Sequence, residues 1–593
     1  MKKLSKFKLL IGSALLIFVA GTIASCGDSF LDAPPQGSLD EVTLANPSGV
    51  EATLIGAYRV LGGHTTGIGG AWGSASSNWV FGSVVADDAY KGSENTDQPA
   101  IEDLEFYTWG GSGAHDYLNG KWRSVYEGVV RTNSTIRLLN SVLDADATAI
   151  SDPVANSIRG EALFLRAHFH FEAWKMWGNI PHYTEEDTEF RKPNLNSDQV
   201  IPLILADLDE AIGLLPDSPR NGQVGRAHVW TARAYKGRVE AYTGDYQGAL
   251  TTLRDVRQSG PYALEQSYHH VWTGFDEYQN GPETILAFQA SANDGQPDGA
   301  NANFGERLNF PHGGSTLESC CGFHQPSQNL ANAFRVDANG LPLALNNEDW
   351  NSIDNNLSAS AADDMPLDPR IDWTIGRDGV PYKDWDEHAS GWIRDPNFGG
   401  PYSPKKNVHE SASGAESAVG WVPIQLNSVN LHLYRYADML LLLAEAEVEA
   451  GSLENAREIV NEIRTRAGVE AQGPGDDVST IAVPINDPSI TWANYQVGLY
   501  EQPWANQQTA REAVRLERRV ELAMEGHRFF DLRRWGIAAD VLNAYTQVER
   551  NRLSKLINAA SVEDRHQWFP IPSQQIQLSR VSGEDRLVQN PGW

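Results

Sequence analysis

The sequence has little cysteine: 3 residues in 593, of which Cys320 and Cys321 are adjacent and Cys26 lies near the start. This chain therefore has no long-range disulfide framework, and buried surface must hold its fold. The spacing also matches no structural zinc site. An adjacent pair either closes a strained small ring or remains two buried thiols, and we favour the disulfide.

Basic residues are also scarce, with 47 Lys and Arg against 77 Asp and Glu, a formal net charge of -30. A surface of this sign repels polyanions, so nucleic acid and heavily sulfated glycans are poor partners. We therefore expect no nucleic-acid partner.

The common catalytic motifs are missing. The sequence contains no GxSxG, no HExxH and no GxxxxGK[ST] pattern. His168-x-His170 falls on an aromatic-rich helical stretch, which favours core packing over metal binding. We predict no enzyme activity, no metal and no cofactor, although Asp87-Asp88 is compatible with a helix cap or with bound calcium. A glycosidase carboxylate pair stays open because acids are abundant, as does a non-catalytic adhesion or scaffold role.

The sequence has a single conspicuous apolar run, from Leu9 to Ala20, after four lysines. It is shorter than the roughly 20 residues of a membrane helix and is typical of a signal peptide. Ile23-Ala24-Ser25-Cys26 resembles a bacterial lipobox, which implies cleavage before Cys26 and lipid on that residue. We expect a signal peptide at 1–25 and a lipidated tether at 26–40. Cleavage would remove four lysines and no acid, changing the net charge from -30 to -34.

Helical periodicity predicts an α-helical body at about 41–61, 118–267 and 431–593. Two helical hairpins are expected, at about 234–258 and 433–466. Each carries small residues twelve positions apart, Gly237 and Ala249 in the first and Ala444 and Ala456 in the second. This pattern indicates tetratricopeptide-like units. A last long helix is predicted from about 509 to 535, supported by oppositely charged residues three or four apart.

Two regions interrupt this periodicity, at about 62–117 and 268–430. Both are rich in Gly, Asp and Trp, and one strand is predicted within the second region, at 285–289. Long structured loops are usually functional, and we expect both regions on one face. A carbohydrate site needs a flat aromatic platform with a few fixed polar groups. The candidate ligand-binding residues are Trp72, Trp79, Asp88, Lys91, Trp109, Phe323, His324 and Trp350.

Ordered motifs along the whole mature chain resemble those of the SusD/RagB family of outer-membrane lipoproteins of Bacteroidetes. They are Cys26 with Phe30-Leu31-Asp32, Trp122-x-x-x-Tyr126, Arg166-Ala167-His168-Phe169, Trp177-Gly178-Asn179-Ile180-Pro181, Tyr434-Arg435-Tyr436-Ala437-Asp438, Glu525-Gly526-His527-Arg528-Phe529-Phe530-Asp531 and Gln589-Asn590-Pro591-Gly592.

The resemblance implies a single domain at 41–593 with a mainly α, tetratricopeptide-like helical-repeat body and a long loop-rich, Trp-rich ligand-binding face. It implies a lipid-anchored protein on the cell surface that caps a TonB-dependent, SusC-like transporter in the outer membrane. It does not imply catalysis. From the charge and the tryptophans we expect a neutral glycan, a β-glucan first and an α-glucan or mannan next.

Overall fold

The computed structural model describes residues 41–64, 72–313, 317, 319–353, 357–358 and 365–593. The predicted signal peptide at 1–25, the predicted lipidation site Cys26 and the predicted tether at 26–40 lie outside these residues.

The described chain is mainly α-helical, as predicted. Its helices are α1 (Glu41–Leu44), α2 (Pro47–Arg59), α3 (Pro99–Glu105), α4 (Ser112–Ala145), α5 (Asp152–Trp177), α6 (Ser197–Leu214), α7 (Val229–Tyr242), α8 (Tyr246–Ser259), α9 (Tyr268–Val271), α10 (Gln328–Ala333), α11 (Ile371–Thr374), α12 (Pro396–Gly399), α13 (Tyr436–Ala450), α14 (Leu453–Ala467), α15 (Gln507–Glu521), α16 (Arg528–Arg534), α17 (Ala538–Glu549) and α18 (Ser573–Leu578).

The strands are short and pair in twos. They are β1 (Ala89–Gly92), β2 (Thr284–Phe288), β3 (Phe323–Pro326), β4 (Ile375–Gly376), β5 (Pro381–Tyr382), β6 (Asp386–Glu387), β7 (Ser403–Pro404), β8 (Leu431–Arg435), β9 (Glu470–Gln472) and β10 (Ala482–Pro484). The antiparallel pairs are β1 with β3, β2 with β8, β4 with β7, β5 with β6 and β9 with β10.

Helix α5 lies at the centre of the body and packs against α4 and α6. Pro153 stands in its first turn, where a missing N–H costs nothing, and Gly178 ends it with a φ of 67°. Almost every residue from Ala155 onward is buried, which explains why the sequence shows aromatic side chains on all sides of this helix.

The two predicted hairpins are present as α7–α8 and α13–α14, and α8 packs on α13. A Cβ on Gly237 would collide with Leu253 of the partner helix, and both Ala444 and Ala456 are fully buried. Small residues therefore let the paired helices approach closely, which confirms the tetratricopeptide-like body.

Two predicted helices differ in extent. The segment 433–449 begins as strand β8, because Leu431–Arg435 pairs with the predicted strand β2, and the helix starts only at Tyr436. The segment 509–535 is two helices. Met524 and Gly526 between them have φ values of 65° and 74°, and the backbone of Gly526 lies directly against that of Ser77 and Gly82, where a side chain has no room.

The ion pairs predicted between residues three or four apart along the segment 509–535 are also mostly wrong. Asp531 does bond Arg534, but Glu521 and Glu525 are buried and bond arginines distant in sequence. None of the described helices is both long enough and apolar enough to cross a membrane.

Candidate functional site

Trp79, Phe323 and His324 lie together in the interior. Trp79 begins a π-helical turn (Trp79–Val84), has no exposed surface, and donates its Nε1–H to the carbonyl of Gly305 at 3.2 Å. The rings of Phe323 and His324 pack against it with centroids 6.3 and 5.5 Å away. The prediction that Trp79, Phe323 and His324 contact a ligand is therefore corrected, because packing inside the protein covers their faces.

Trp109 is also a core residue. It has no exposed surface, donates to the carbonyl of Leu104 at 2.9 Å, and stacks on Phe569 with ring centroids 4.3 Å apart. Trp593, the last residue, stacks beside it at 5.9 Å. Trp109 thus holds the carboxyl-terminal tail to the body and offers no ring face to a ligand.

The two charged candidates are buried in ion pairs. Asp88 accepts from Arg519 at 3.1 Å, and Lys91 bonds Glu102 at 2.9 Å. Asp87 bonds Arg528 at 2.7 Å. Guanidinium groups thus engage both aspartates, and Lys91 is not available to a ligand.

Trp72 and Trp350 are half-buried, and their role as ligand contacts stays a prediction. Cys320 and Cys321 are joined in a disulfide, which agrees with the alternative we favoured. Gln425 lies behind this disulfide, with its Nε2 4.0 Å from the Sγ of Cys321.

Among the 18 tryptophans, all of which fall in the described segments, only Trp421 is exposed, at 58 %. Its ring lies over the guanidinium of Arg307, 4.5 Å from centroid to Cζ, and Arg307 in turn lies 5.0 Å from the centroid of Phe304. His64 stacks on Phe304 with centroids 4.2 Å apart. We name these four residues, His64, Phe304, Arg307 and Trp421, the Trp421 surface.

Arg307 is the polar centre of the Trp421 surface. It is 6 % exposed and donates to the backbone carbonyl of Trp421, but its Nε–H is buried without a partner. No ion pair of Arg307 occurs within the described residues, and burial lowers the pKa of its guanidinium. A buried donor without an acceptor is rare in folded proteins, which makes this guanidinium an unusual feature of the loop.

His64 supplies a second unpaired polar atom, since its Nδ1 is buried without a hydrogen-bond partner. Burial, and then the nearby charge of Arg59, lower the pKa of this imidazole. It is therefore neutral at neutral pH, and a neutral ring can donate or accept one hydrogen bond to a ligand.

The loop around Trp421 also has an unusual backbone conformation. Val422, directly after the exposed tryptophan, has a φ of 48°, a left-handed conformation that β-branched residues rarely adopt. Gln425 donates to the carbonyl of Arg307 at 2.7 Å and ties the loop down. A strained backbone of this kind persists only where the surrounding contacts hold it in place, and strained residues often lie at functional sites.

A ring face beside fixed donors is suited to a sugar, whose apolar face stacks while its hydroxyls accept hydrogen bonds. Trp421 lies in the second loop region, at 268–430, and is not among the predicted ligand-binding residues. Its setting, Gly420-Trp421-Val422-Pro423, is a turn sequence, whereas Trp79 stands in the apolar run Trp79-Val80-Phe81. That contrast is the signal that distinguishes the exposed ring from the buried one.

The described residues contain one group with metal-ligand geometry, formed by His170, His182 and Asp207 with donor atoms within 4.8 Å of one another. Two of its three members are already engaged. Arg166 bonds both carboxylate oxygens of Asp207 at 2.8 and 2.7 Å, and the Nε2 of His170 accepts from the backbone N–H of Tyr183 at 3.2 Å. His182 stacks on His170 with ring centroids 4.2 Å apart, and its Nε2 is buried without a hydrogen-bond partner.

Comparison with known proteins gives consistent results. The SusD family model matches residues 282–593, and a model described as starch-binding associating with outer membrane matches residues 29–240. "SusD-like protein P38" of Formosa agariphila is 24 % identical over 93 % of this chain and 96 % of its own length.

Solved structures share the fold. A laminarin binding SusD-like protein superposes with a TM-score of 0.64 at 22 % identity, covering 92 % of this chain and 100 % of its own. Surface glycan-binding protein A from Bacteroides thetaiotaomicron, in complex with laminarihexaose, gives 0.63 at 19 % identity, covering 92 % and 99 %. Because one family model alone matches more than half of the residues, the chain belongs to the SusD family.

Proposed function

We propose that this protein is a cell-surface lipoprotein that captures a neutral oligosaccharide or polysaccharide, a β-glucan first, and passes it to a TonB-dependent outer-membrane transporter. The observation that carries the proposal is the Trp421 surface, which combines the one exposed tryptophan of the described chain with two unpaired buried polar atoms.

The sugar stacks on Trp421 while its hydroxyl oxygens accept from Arg307. Burial of that guanidinium between two rings keeps its donors fixed before the ligand arrives, which reduces the ordering cost of binding. Two relatives with this fold are named for laminarin or laminarihexaose, and laminarin is a β-glucan, which supports this choice of glycan. Binding is expected to be modest, since a delivery protein must release its cargo.

Calorimetric titration of the mature protein with laminarihexaose tests the site. Trp421→Ala should weaken binding about five- to a hundredfold, since stacking of a ring on an aromatic side chain is worth ~1–3 kcal/mol in the nucleic-acid analogue. Phe190→Ala is the matched control. Phe190 is the other exposed aromatic side chain of the described residues, at 67 %, and follows α5 on the helical body. Equal affinity of wild type and Trp421→Ala for every glycan bound would reject the site.

The charge of the ligand is tested with matched neutral and uronate oligosaccharides. The negative net charge of the protein repels a polyanion at long range, but salt screens this repulsion beyond about 8–10 Å. The positive charge of Arg307 therefore acts only on ligand groups close to it. We expect the neutral glycan to bind with little salt dependence. Preferential binding of the uronate, weakening as salt rises, would overturn the neutral assignment and leave glycan capture intact.

The same incubations separate capture from catalysis, because shortened oligosaccharide products would identify a surface glycoside hydrolase, and absence of any binding would favour an adhesion or scaffold role. Transfer is tested in cells with the Cys26→Ala variant. The purified variant should bind glycan normally, while cells that carry only this variant should lose uptake of a labelled glycan.

A further inference from the structure

A cavity lies in the helical body, between the carboxyl-terminal part of α5, the first turn of α6, the end of α7, helix α16 and the tail. Its volume is about 470 Å³. Trp174, Tyr242 and Trp568 form its aromatic wall, and Ser197, Arg533 and Arg534 are among its polar residues. The two loop regions contribute no residue to it.

Arg533 stands out on this wall because its charge is not neutralised. It is 6 % exposed, and within the described residues it forms no ion pair; its hydrogen bond goes to the backbone carbonyl of Lys175 in the last turn of α5. The guanidinium lies over Trp568, 4.1 Å from the ring centroid. Burial lowers the pKa of Arg533 to about 9, so it remains a cation at neutral pH.

The neighbouring charges are engaged elsewhere. Arg534 bonds Glu445 and Asp531, and Lys175 bonds Glu172 at 2.7 Å. Asp198 is the acidic residue of the cavity wall, and its side chain is solvent-exposed. One carbonyl uses one of the five N–H donors of a guanidinium, so Arg533 keeps donors for a further acceptor.

Tyr242 also lines this cavity, and its ring is fixed by contacts with Arg238 and Arg534 at 5.6 and 4.9 Å. The remaining donors of the Arg533 guanidinium suit one ligand group best, a carboxylate, whose two oxygens match the guanidinium fork.

We propose that this cavity binds a carboxylate, with Arg533 donating to its oxygens beside the aromatic wall. The carboxylate belongs either to a free small organic acid or to the uronic acid residue of an acidic saccharide. This site is separate from the Trp421 surface and does not depend on the function proposed for that surface.

Titration of the mature wild-type protein with succinate and with galacturonate, against sodium chloride at equal ionic strength, tests the proposal by saturation-transfer NMR. We expect saturable binding of at least one acid, and which of the two binds more tightly identifies the source of the carboxylate. Arg533→Lys should weaken it at least threefold, because lysine keeps the charge but loses the planar fork that matches both carboxylate oxygens.

Arg580→Lys is the matched control. Arg580 is exposed, pairs with Asp585 and lies outside the cavity wall, so its replacement should leave carboxylate affinity unchanged. Arg533→Met should abolish binding; if that variant does not fold, Arg533→Lys still decides. Absence of saturable binding to wild type, equal affinity in Arg533→Lys, or binding of phosphate as tight as that of either acid would overturn the proposal.

Discussion

Glu521→Gln is expected to destabilise the protein strongly, because Glu521 joins the loop-rich half of the chain to the helical body. It is the last residue of α15, and its carboxylate bonds Arg370 at 2.8 Å, Arg435 at 2.7 Å and also Arg466. Arg370 lies in the second loop region, Arg435 ends β8, and Arg466 lies in α14. One buried carboxylate thus holds three segments distant in sequence.

The size of the effect follows from what the substitution leaves behind. Glutamine keeps the shape but loses the negative charge, and its amide N–H groups face guanidinium donors. Arg370 retains Asp368 and Glu517, and Arg435 retains Glu283 and Glu525. The cluster therefore remains paired but carries one excess positive charge inside the protein. Breaking a buried ion pair in this way costs ~3–5 kcal/mol.

The effect depends on pH in a defined direction. Although burial itself opposes ionisation, Arg466, Arg435 and Arg370 hold the pKa of Glu521 well below its usual range. A depressed folded-state pKa gives stability that is fully present above the unfolded value of about 4.3 and is lost as pH falls toward the folded value. The difference between wild type and Glu521→Gln should therefore be constant near neutral pH and shrink below about pH 4.

Urea unfolding followed by circular dichroism measures both quantities. Glu454→Gln is the matched control, because Glu454 pairs with Arg457 on the same kind of helix but is largely exposed, and we expect no measurable change in its stability. A loss of less than about 1 kcal/mol in Glu521→Gln, the median of exposed pairs, would refute the reasoning, as would a difference that grows on acidification.

Four further outcomes are expected. Trp109→Ala should lower stability by ~3–5 kcal/mol without changing glycan affinity, which calorimetry on the same sample checks. Ala444→Trp should destabilise by ~1–3 kcal/mol or more because it overfills the α13–α14 contact, and a wild-type melting temperature would argue against that packing. Cys26→Ala should abolish metabolic palmitate labelling, and unchanged labelling would contradict the lipobox. Intact-mass analysis of unfolded protein should show Cys320 and Cys321 alkylated only after reduction, and full alkylation without reductant would reject the disulfide.

The helical body was predictable because its signals are local. The span of α5 follows from Pro153 and Gly178, and the two hairpins follow from small residues at equal spacing. The break at Gly526 was not predictable, since it depends on the close approach of Ser77, more than 400 residues earlier in the chain. Pairing of Glu521 with Arg370, Arg435 and Arg466 is likewise set by tertiary packing, so the i, i+3 and i, i+4 spacing gave a misleading prediction.

The candidate site shows the same limit for aromatic residues. Composition predicts a tryptophan-bearing face, but residue type alone does not separate an exposed ring from a ring that packs in the core. Trp79 and Trp109 each give their indole N–H to a backbone carbonyl and bury both ring faces. Trp421 instead covers a buried guanidinium and leaves more than half of its surface in water. Since hiding an indole from water is favourable, an exposed tryptophan fixed over an unpaired donor has a cost in stability, and the stacking ligand that we propose would recover that cost on binding.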